Sequence, residues 1–238
     1  MKTILITGGS RGIGRAMVKL FSERGCSVAF TYNSSESSAA ELSSMTGAIA
    51  IKADSASEQE VKDAVKIAEK KLGNIEILIN NAAVSSFSLF TDITLEEWNK
   101  TFAVNVNGAF LYSRELLPNM IKNKHGRIIN VSSMWGITGS SCEVHYSATK
   151  AALIGMTKAL AKEVGPSGIT VNCIAPGVID TDMNKSISDE DMEVLKQDTP
   201  LMRIGTPEEI AEAAFFLSGE SAAFITGAVL NVNGGYLI

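Results

Sequence analysis

The chain has 238 residues, 45% hydrophobic and 20% charged, with a formal net charge of −5. That balance is ordinary for a globular protein, and the length suits one large α/β domain spanning residues 1–238. An acidic chain without a long run of one sign argues against nucleic acid as a partner. Cys26, Cys142 and Cys173 are scattered and form no CxxC pair, as expected of a reduced intracellular protein. No apolar stretch is long and clean enough to span a membrane, and the N-terminus runs straight into a strand pattern without room for a signal peptide. The expectation is a cytoplasmic protein.

Short apolar runs alternate with longer helical windows. The first strand is expected at residues 4–7, followed by a glycine loop and a helix over 13–24 that Gly25 closes. Strands follow at 28–32 and 48–53, then a helix over 57–72 closed by Gly73. Further strands are expected at 75–79, 127–132, 169–174 and Val229–Val232. A helix over 146–164 ends before Gly165-Pro166. Strands apolar on both faces, alternating with helices, predict a doubly wound, seven-stranded parallel Rossmann-type sheet with helices on both faces. Residues 177–200, rich in Asp, Ser and Met, form the least regular stretch and are a candidate lid.

Thr7-Gly8-Gly9-Ser10-Arg11-Gly12-Ile13-Gly14 follows the first strand and opens the first helix. Glycine serves where backbone must take positive φ or approach a phosphate, and a helix N-terminus offers free N–H groups to a pyrophosphate. That context makes the loop a dinucleotide site. A carboxylate at the end of the second strand would favour NAD by holding the ribose 2′-hydroxyl. Here the end reads Thr31-Tyr32-Asn33-Ser34, with no acid. Arg11 can fork to a 2′-phosphate, with Ser10, Asn33 and Ser34 adding neutral hydrogen bonds. The expected cofactor is NADPH.

The T-G-x-x-x-G-x-G spacing resembles that of the short-chain dehydrogenase/reductase family, and the likeness runs along nearly the whole chain. Asn80-Asn81-Ala82-Ala83 resembles the family's N-N-A-G, with Ala83 standing where glycine is usual. Asn105 fits the family's helix-four asparagine, Asn130-Val131-Ser132-Ser133 its serine motif and Tyr146-Ser147-Ala148-Thr149-Lys150 its Y-x-x-x-K signature. Pro176-Gly177 follows strand six, and Asn233-Gly234-Gly235 closes the last strand. The resemblance implies that Asp54 lies near the adenine, and Asn81 and Ile179 near the ribose and nicotinamide. It adds Tyr32, Ala82, Pro176, Gly177 and Thr181 to the cofactor site.

Reducing a ketone requires a hydride at carbon and a proton at oxygen. Tyr146 and Lys150 are four apart on one helix face, so the ammonium is expected to lower the phenol pKa and ready it as the proton donor. Ser133 is placed to hold the carbonyl oxygen. By resemblance, Asn105 anchors a water linking Lys150 to solvent, and Lys150 also hydrogen-bonds the nicotinamide ribose. Retention of all four residues argues against a non-catalytic NADPH-sensing protein. His125 and His145 lack partners at ligand spacing, so no metal site is expected. Ser140 and Glu143 have the spacing of a capping box.

Within the family the chain is most similar to the 3-oxoacyl-[acyl-carrier-protein] reductases, through residues 150–155, 171–177 and 203–235. This implies a ketone substrate carried on acyl carrier protein, and a homotetramer packed through helices whose apolar faces include Phe102, Phe110, Leu117, Ala152, Met156 and Leu160, although such stripes more often belong to a core. Lys122, Lys124, His125 and Arg127 form a basic cluster that would suit an acidic carrier, and that is equally explained as cations at a helix C-terminus. Trp135 stands beside the catalytic serine where relatives usually carry smaller aliphatic residues, and with Cys142 and Glu143 it would shape the pocket. They leave open another ketone: the aminopentanone on modified elongation factor P, a sugar or another secondary-alcohol product.

Overall fold

The computed structural model describes residues 2–184 and 187–237. Seven parallel strands form one sheet in the order β3-β2-β1-β4-β5-β6-β7. In chain order these are β1 (Thr3–Ile6), β2 (Ser27–Tyr32), β3 (Ile49–Lys52), β4 (Ile77–Asn80), β5 (Gly126–Val131), β6 (Ile169–Pro176) and β7 (Val229–Val232). The helices are α1 (Gly12–Glu23), α2 (Glu36–Thr46), α3 (Glu58–Leu72), α4 (Leu95–Phe102), α5 (Gly108–Asn123), α6 (Trp135–Thr138), α7 (Val144–Val164), α8 (Asp189–Gln197) and α9 (Pro207–Ser218). No described helix is long and apolar enough to cross a membrane.

Alternation along each strand builds two cores. Ile4, Ile6, Ile77, Ile79, Ile129 and Val131 face α1, α2 and α9. Leu5, Leu78 and Ile128 face α3, α5 and α7 on the other side. A parallel sheet covered in this way requires apolar side chains on both faces, which is why its strands read as continuous hydrophobic runs. Strand order reverses direction between β1 and β4, where β1 pairs with both β2 and β4. A crevice at the carboxyl ends of such a switch point is where ligands bind in this architecture.

The expected elements are present with shifted ends. The fourth strand begins at Ile77 rather than at residue 75, because Ile75 is buried without joining the ladder. The catalytic helix begins at Val144, two residues earlier than expected, and Glu143 is its N-cap residue with no side-chain cap bond. The expected Ser140–Glu143 capping box is therefore not formed. Instead the Glu143 carboxylate turns inward and accepts from Ser85 Oγ at 2.7 Å. Residues 103–107 form a π turn between α4 and α5, a feature often found at functional sites.

The candidate lid, 177–200, lies at the carboxyl edge of β6; its Lys185 and Ser186 fall outside the described residues. Its helix α8 buries no side chain. The segment is pinned where Asp180 N donates to Gly205 O and Gly205 N to Val178 O. The basic cluster lies elsewhere. Arg127 sits at the amino end of β5, buried, and reaches Glu220 at 3.5 Å. Ser133 follows the opposite end of that strand, about 20 Å away at the usual rise per residue. The cluster therefore faces away from the site, and its reading as a carrier-docking patch is set aside.

Candidate active site

The glycine loop is held by contacts that exclude a larger side chain. Gly8 and Gly12 take positive φ, +66° and +49°. A Cβ on Gly14 would lie 2.2 Å from Gly8 O, and one on Gly9 would lie 2.5 Å from Phe30 Cβ. Gly9 N donates to Thr31 O at 2.9 Å. Asn81 Nδ2 donates to Thr7 O and Gly8 O, and Thr7 Oγ1 accepts from Asn81 N and Ala82 N, which locks the end of β4 onto the loop. The Asn81 amide therefore holds the loop in place.

Helix α1 starts immediately after, at Gly12, with Arg11 as its N-cap residue and no side-chain cap bond. Its first N–H groups are thus free for a pyrophosphate. Thr181 Cγ2 lies 3.3 Å from where a Gly12 Cβ would be, so the 176–181 segment reaches over this helix end. Ser10 is buried and Ile13 half-buried, whereas Arg11, Asn33 and Ser34 are exposed and Tyr32 half-exposed at the neighbouring strand end. Arg11 has no side-chain partner among the described residues, while Arg15 pairs with Glu41. Asp54 is half-buried and accepts from Ala56 N. The cradle, the uncapped helix end and the absence of an acid after β2 all fit a phosphorylated dinucleotide.

The candidate catalytic residues meet at the carboxyl ends of β4 and β5. Ser133 Oγ accepts from Trp135 N at 3.1 Å, and its hydroxyl is close enough to Tyr146 to act on that phenol. Lys150 Nζ lies 5.4 Å from the Tyr146 ring centroid and donates to Val131 O at 2.8 Å. Ser132 Oγ donates to Lys150 O at 2.7 Å. A Cβ on Gly136 would lie 2.7 Å from the Lys150 carbonyl carbon, so α6 can approach α7 this closely only with glycine there. Asn105, on the π turn, accepts from Val84 N and donates to Val84 O and Thr149 Oγ1, which ties that turn to α7.

The electrostatics correct one expectation. Burial pushes the Tyr146 phenol above its ordinary value, the Glu143 carboxylate adds to that, and the Ser133 hydrogen bond opposes it. Lys150 is not among the groups that set it; its ammonium donates to Val131 O and is itself pulled down to about 8 by burial. The resting phenol is held protonated.

The substrate side is formed by segments far apart in sequence. Glu143 is 7% exposed, and burial raises its carboxyl pKa against hydrogen bonds from Ser85 and Ser140. His145 is fully buried, with Nε2 2.9 Å from Ser86 Oγ. Trp135 packs edge-on against Tyr236, centroids 5.7 Å apart, so the C-terminal segment reaches the residue two after Ser133. Among the described residues no group of three or more His, Cys, Asp or Glu could hold a metal ion.

Residues 8–237 match the family described as enoyl-(acyl carrier protein) reductase. The 3-oxoacyl-[acyl-carrier-protein] reductase of Aquifex aeolicus is 41% identical over 239 residues, covering 98% of this chain and 96% of the relative. The chain belongs to the short-chain dehydrogenase/reductase family. As such it is an oxidoreductase. The 3-oxoacyl-[acyl-carrier-protein] reductase of Escherichia coli is 39% identical, over 98% of this chain and 96% of its own length. An uncharacterized oxidoreductase of Bacillus subtilis is 41% identical over 99% and 98%. Among solved structures, a Serratia marcescens short-chain dehydrogenase/reductase mutant matches with TM-score 0.93 and 38% identity, over 99% of this chain and 97% of that one. A blue fluorescent protein from a metagenomic library, in complex with NADPH, matches with TM-score 0.94 and 36% identity, over 100% and 98%.

Several contacts of this short-chain dehydrogenase/reductase escaped the sequence reading: Ser132 on the Lys150 carbonyl, Thr149 on Asn105, and Ser85 on Glu143. Ser132 and Thr149 stand inside the quoted motifs, so their polarity next to catalytic positions was a usable signal. Ser85 carried none.

Proposed function

We propose that this protein reduces a ketone with NADPH, and that the ketone is a 3-oxoacyl thioester carried on acyl carrier protein, reduced to the 3-hydroxyacyl form. The grouping of Ser133, Tyr146 and Lys150 at one strand end carries the reading. NADPH, when bound, supplies the hydride. Gly8–Gly14 and the α1 N-terminus would hold its pyrophosphate, and Arg11, with Asn33 and Ser34, its 2′-phosphate. Ser133 holds the carbonyl oxygen by its hydroxyl. Tyr146, kept protonated by burial, gives its proton to that oxygen as charge develops there. Lys150, held by Val131 O and 5.4 Å from the Tyr146 ring centroid, would hold the nicotinamide ribose beside that proton donor. The names of the relatives from Aquifex aeolicus and Escherichia coli support the thioester.

A second reading rests on Glu143. A buried carboxylate whose partners are hydroxyls favours a cation from outside the chain. A ketone bearing an ammonium group, such as the aminopentanone on modified elongation factor P, would supply it.

The test is NADPH oxidation by the purified protein with an acetoacetyl thioester, an enoyl thioester and an amino ketone, with NADH in parallel. Turnover of the acetoacetyl thioester at about 1 s⁻¹ or more is expected. Turnover of the amino ketone alone, lost in Glu143→Gln, would move the assignment to the second reading. Reduction of the enoyl thioester alone would overturn ketone reduction.

A further inference from the structure

A row of buried polar side chains crosses the interior beneath the site and contacts no expected ligand. Asn130, in the interior strand β5, is fully buried. Its Oδ1 accepts from Asn80 Nδ2 at 2.9 Å, and its Nδ2 donates to Thr157 Oγ1 at 2.8 Å. Thr157 Oγ1 in turn donates to Leu153 O of α7. Asn80 Nδ2 also reaches Ser113 Oγ at 3.2 Å and Ala109 O at 3.4 Å on α5. Asn80 Oδ1 is buried without a partner, so that amide is oriented by its donors alone. Such a group costs stability, and so does every polar atom of the row that loses its partner.

The two helices joined by this row carry the candidate chemistry. Thr157 lies two turns beyond Lys150 on α7, and Ala109 and Ser113 lie one and two turns beyond Asn105. The peptide after Asn130 supplies the Val131 carbonyl that holds Lys150 Nζ at 2.8 Å. The next residue, Ser132, holds the Lys150 carbonyl. One strand segment thus grips Lys150 directly and grips its helix again two turns on. Apolar packing alone would leave α7 free to slide by fractions of an ångström along its axis, because dispersion contacts are non-directional. Hydrogen bonds of fixed length remove that freedom.

We propose that Asn130, acting through Thr157, is a positioning residue for the reaction: it fixes the axial position of α7, and with it Lys150, against the strand end that bears Ser133. This rests on the ketone-reducing reading of the site.

The test pairs Thr157→Val, which keeps volume and removes the hydroxyl, with Thr157→Ser, which keeps the hydroxyl and removes a methyl. Asn130→Leu is the stronger break. Wild type and variants are compared by kcat, by NADPH affinity and by NMR titration of the Lys150 amine, identified against Lys150→Met. A misplacement near 1 Å can cost about 100-fold in rate. Accordingly, kcat should fall about 10-fold in Thr157→Val and about 10- to 100-fold in Asn130→Leu, while NADPH affinity holds within about threefold. The Lys150 titration should move in both and stay put in Thr157→Ser. If Asn130→Leu does not fold, the threonine pair decides.

A harmless Thr157→Val beside a damaged Thr157→Ser would mean that the row acts by packing alone, and overturns the proposal. So would a Lys150 titration that moves in both threonine variants or in neither. Should the wild type turn over no ketone, the functional reading fails, and the Lys150 titration still decides whether Asn130 positions that amine.

Discussion

The two sides of the cleft are built on different principles. At the β1–α1 loop, backbone meets backbone: a Cβ on Gly14 would run into Gly8 O, and one on Gly8 would lie 2.8 Å from Ala82 Cα. On the substrate side, side chains distant in sequence meet in pairs: Ser85 with Glu143, and Trp135 with Tyr236. The first side has no room for an added atom. The second is a wall whose members can be exchanged one at a time. A protein built this way can keep its cofactor chemistry and still change its substrate.

That contrast can be broken from either side. The largest effect is expected from Tyr146→Phe, which removes the proton donor and leaves the loop alone. Its kcat should fall about 10²- to 10⁴-fold, with NADPH binding retained in a fluorescence titration. Lys150→Met should also be inactive, yet more stable than wild type at pH 7. Burial lowers the folded pKa to about 8, so the unfolded chain binds the extra proton between that value and the ordinary lysine range. The gain from removing the charge is bounded at about 3 kcal/mol. It should be complete below pH 8 and fade as pH rises from about 8 to 10.5, as chemical denaturation at a series of pH values would show.

Gly14→Ala should cost about 1–3 kcal/mol and weaken NADPH binding. Gly155→Ala on α7, where nothing lies within 4 Å of the new Cβ, should gain about 0.5–1 kcal/mol. If both behave alike in thermal melts, the close-packed loop is not the constraint described. The smallest effect is expected from Arg11→Ala. It should raise KM for NADPH about 10-fold, the loss of one charge-assisted hydrogen bond, and leave KM for NADH unchanged.

The legibility of the sequence follows the same division. The last strand, Val229–Val232, matches its expected bounds. The fourth is displaced because hydrophobicity marks burial and not pairing: Ile75 is in the core but outside the ladder. Ser140 and Glu143 have capping-box spacing, yet the backbone between them carries Cys142 at φ +59°, α7 begins only at Val144, and the carboxylate bonds Ser85 instead. Arg127 read as part of a surface patch, because sequence does not say which end of a strand faces the ligand crevice.

The sequence by itself determined the alternating pattern that makes a covered parallel sheet, the glycine loop that opens α1, and the residue types needed to move a proton to a carbonyl oxygen. These are local or periodic properties, set by backbone sterics and by side-chain chemistry at fixed helical spacing. Only the tertiary structure decided that Val131 holds Lys150, that burial and Glu143 keep Tyr146 protonated, that Asn80 and Asn130 together bridge α5 and α7, and that Tyr236 reaches Trp135. Each of these depends on which distant segments share one low-dielectric interior. Desolvation and the partners of a buried polar group belong to that shared space, and spacing along the chain does not encode them.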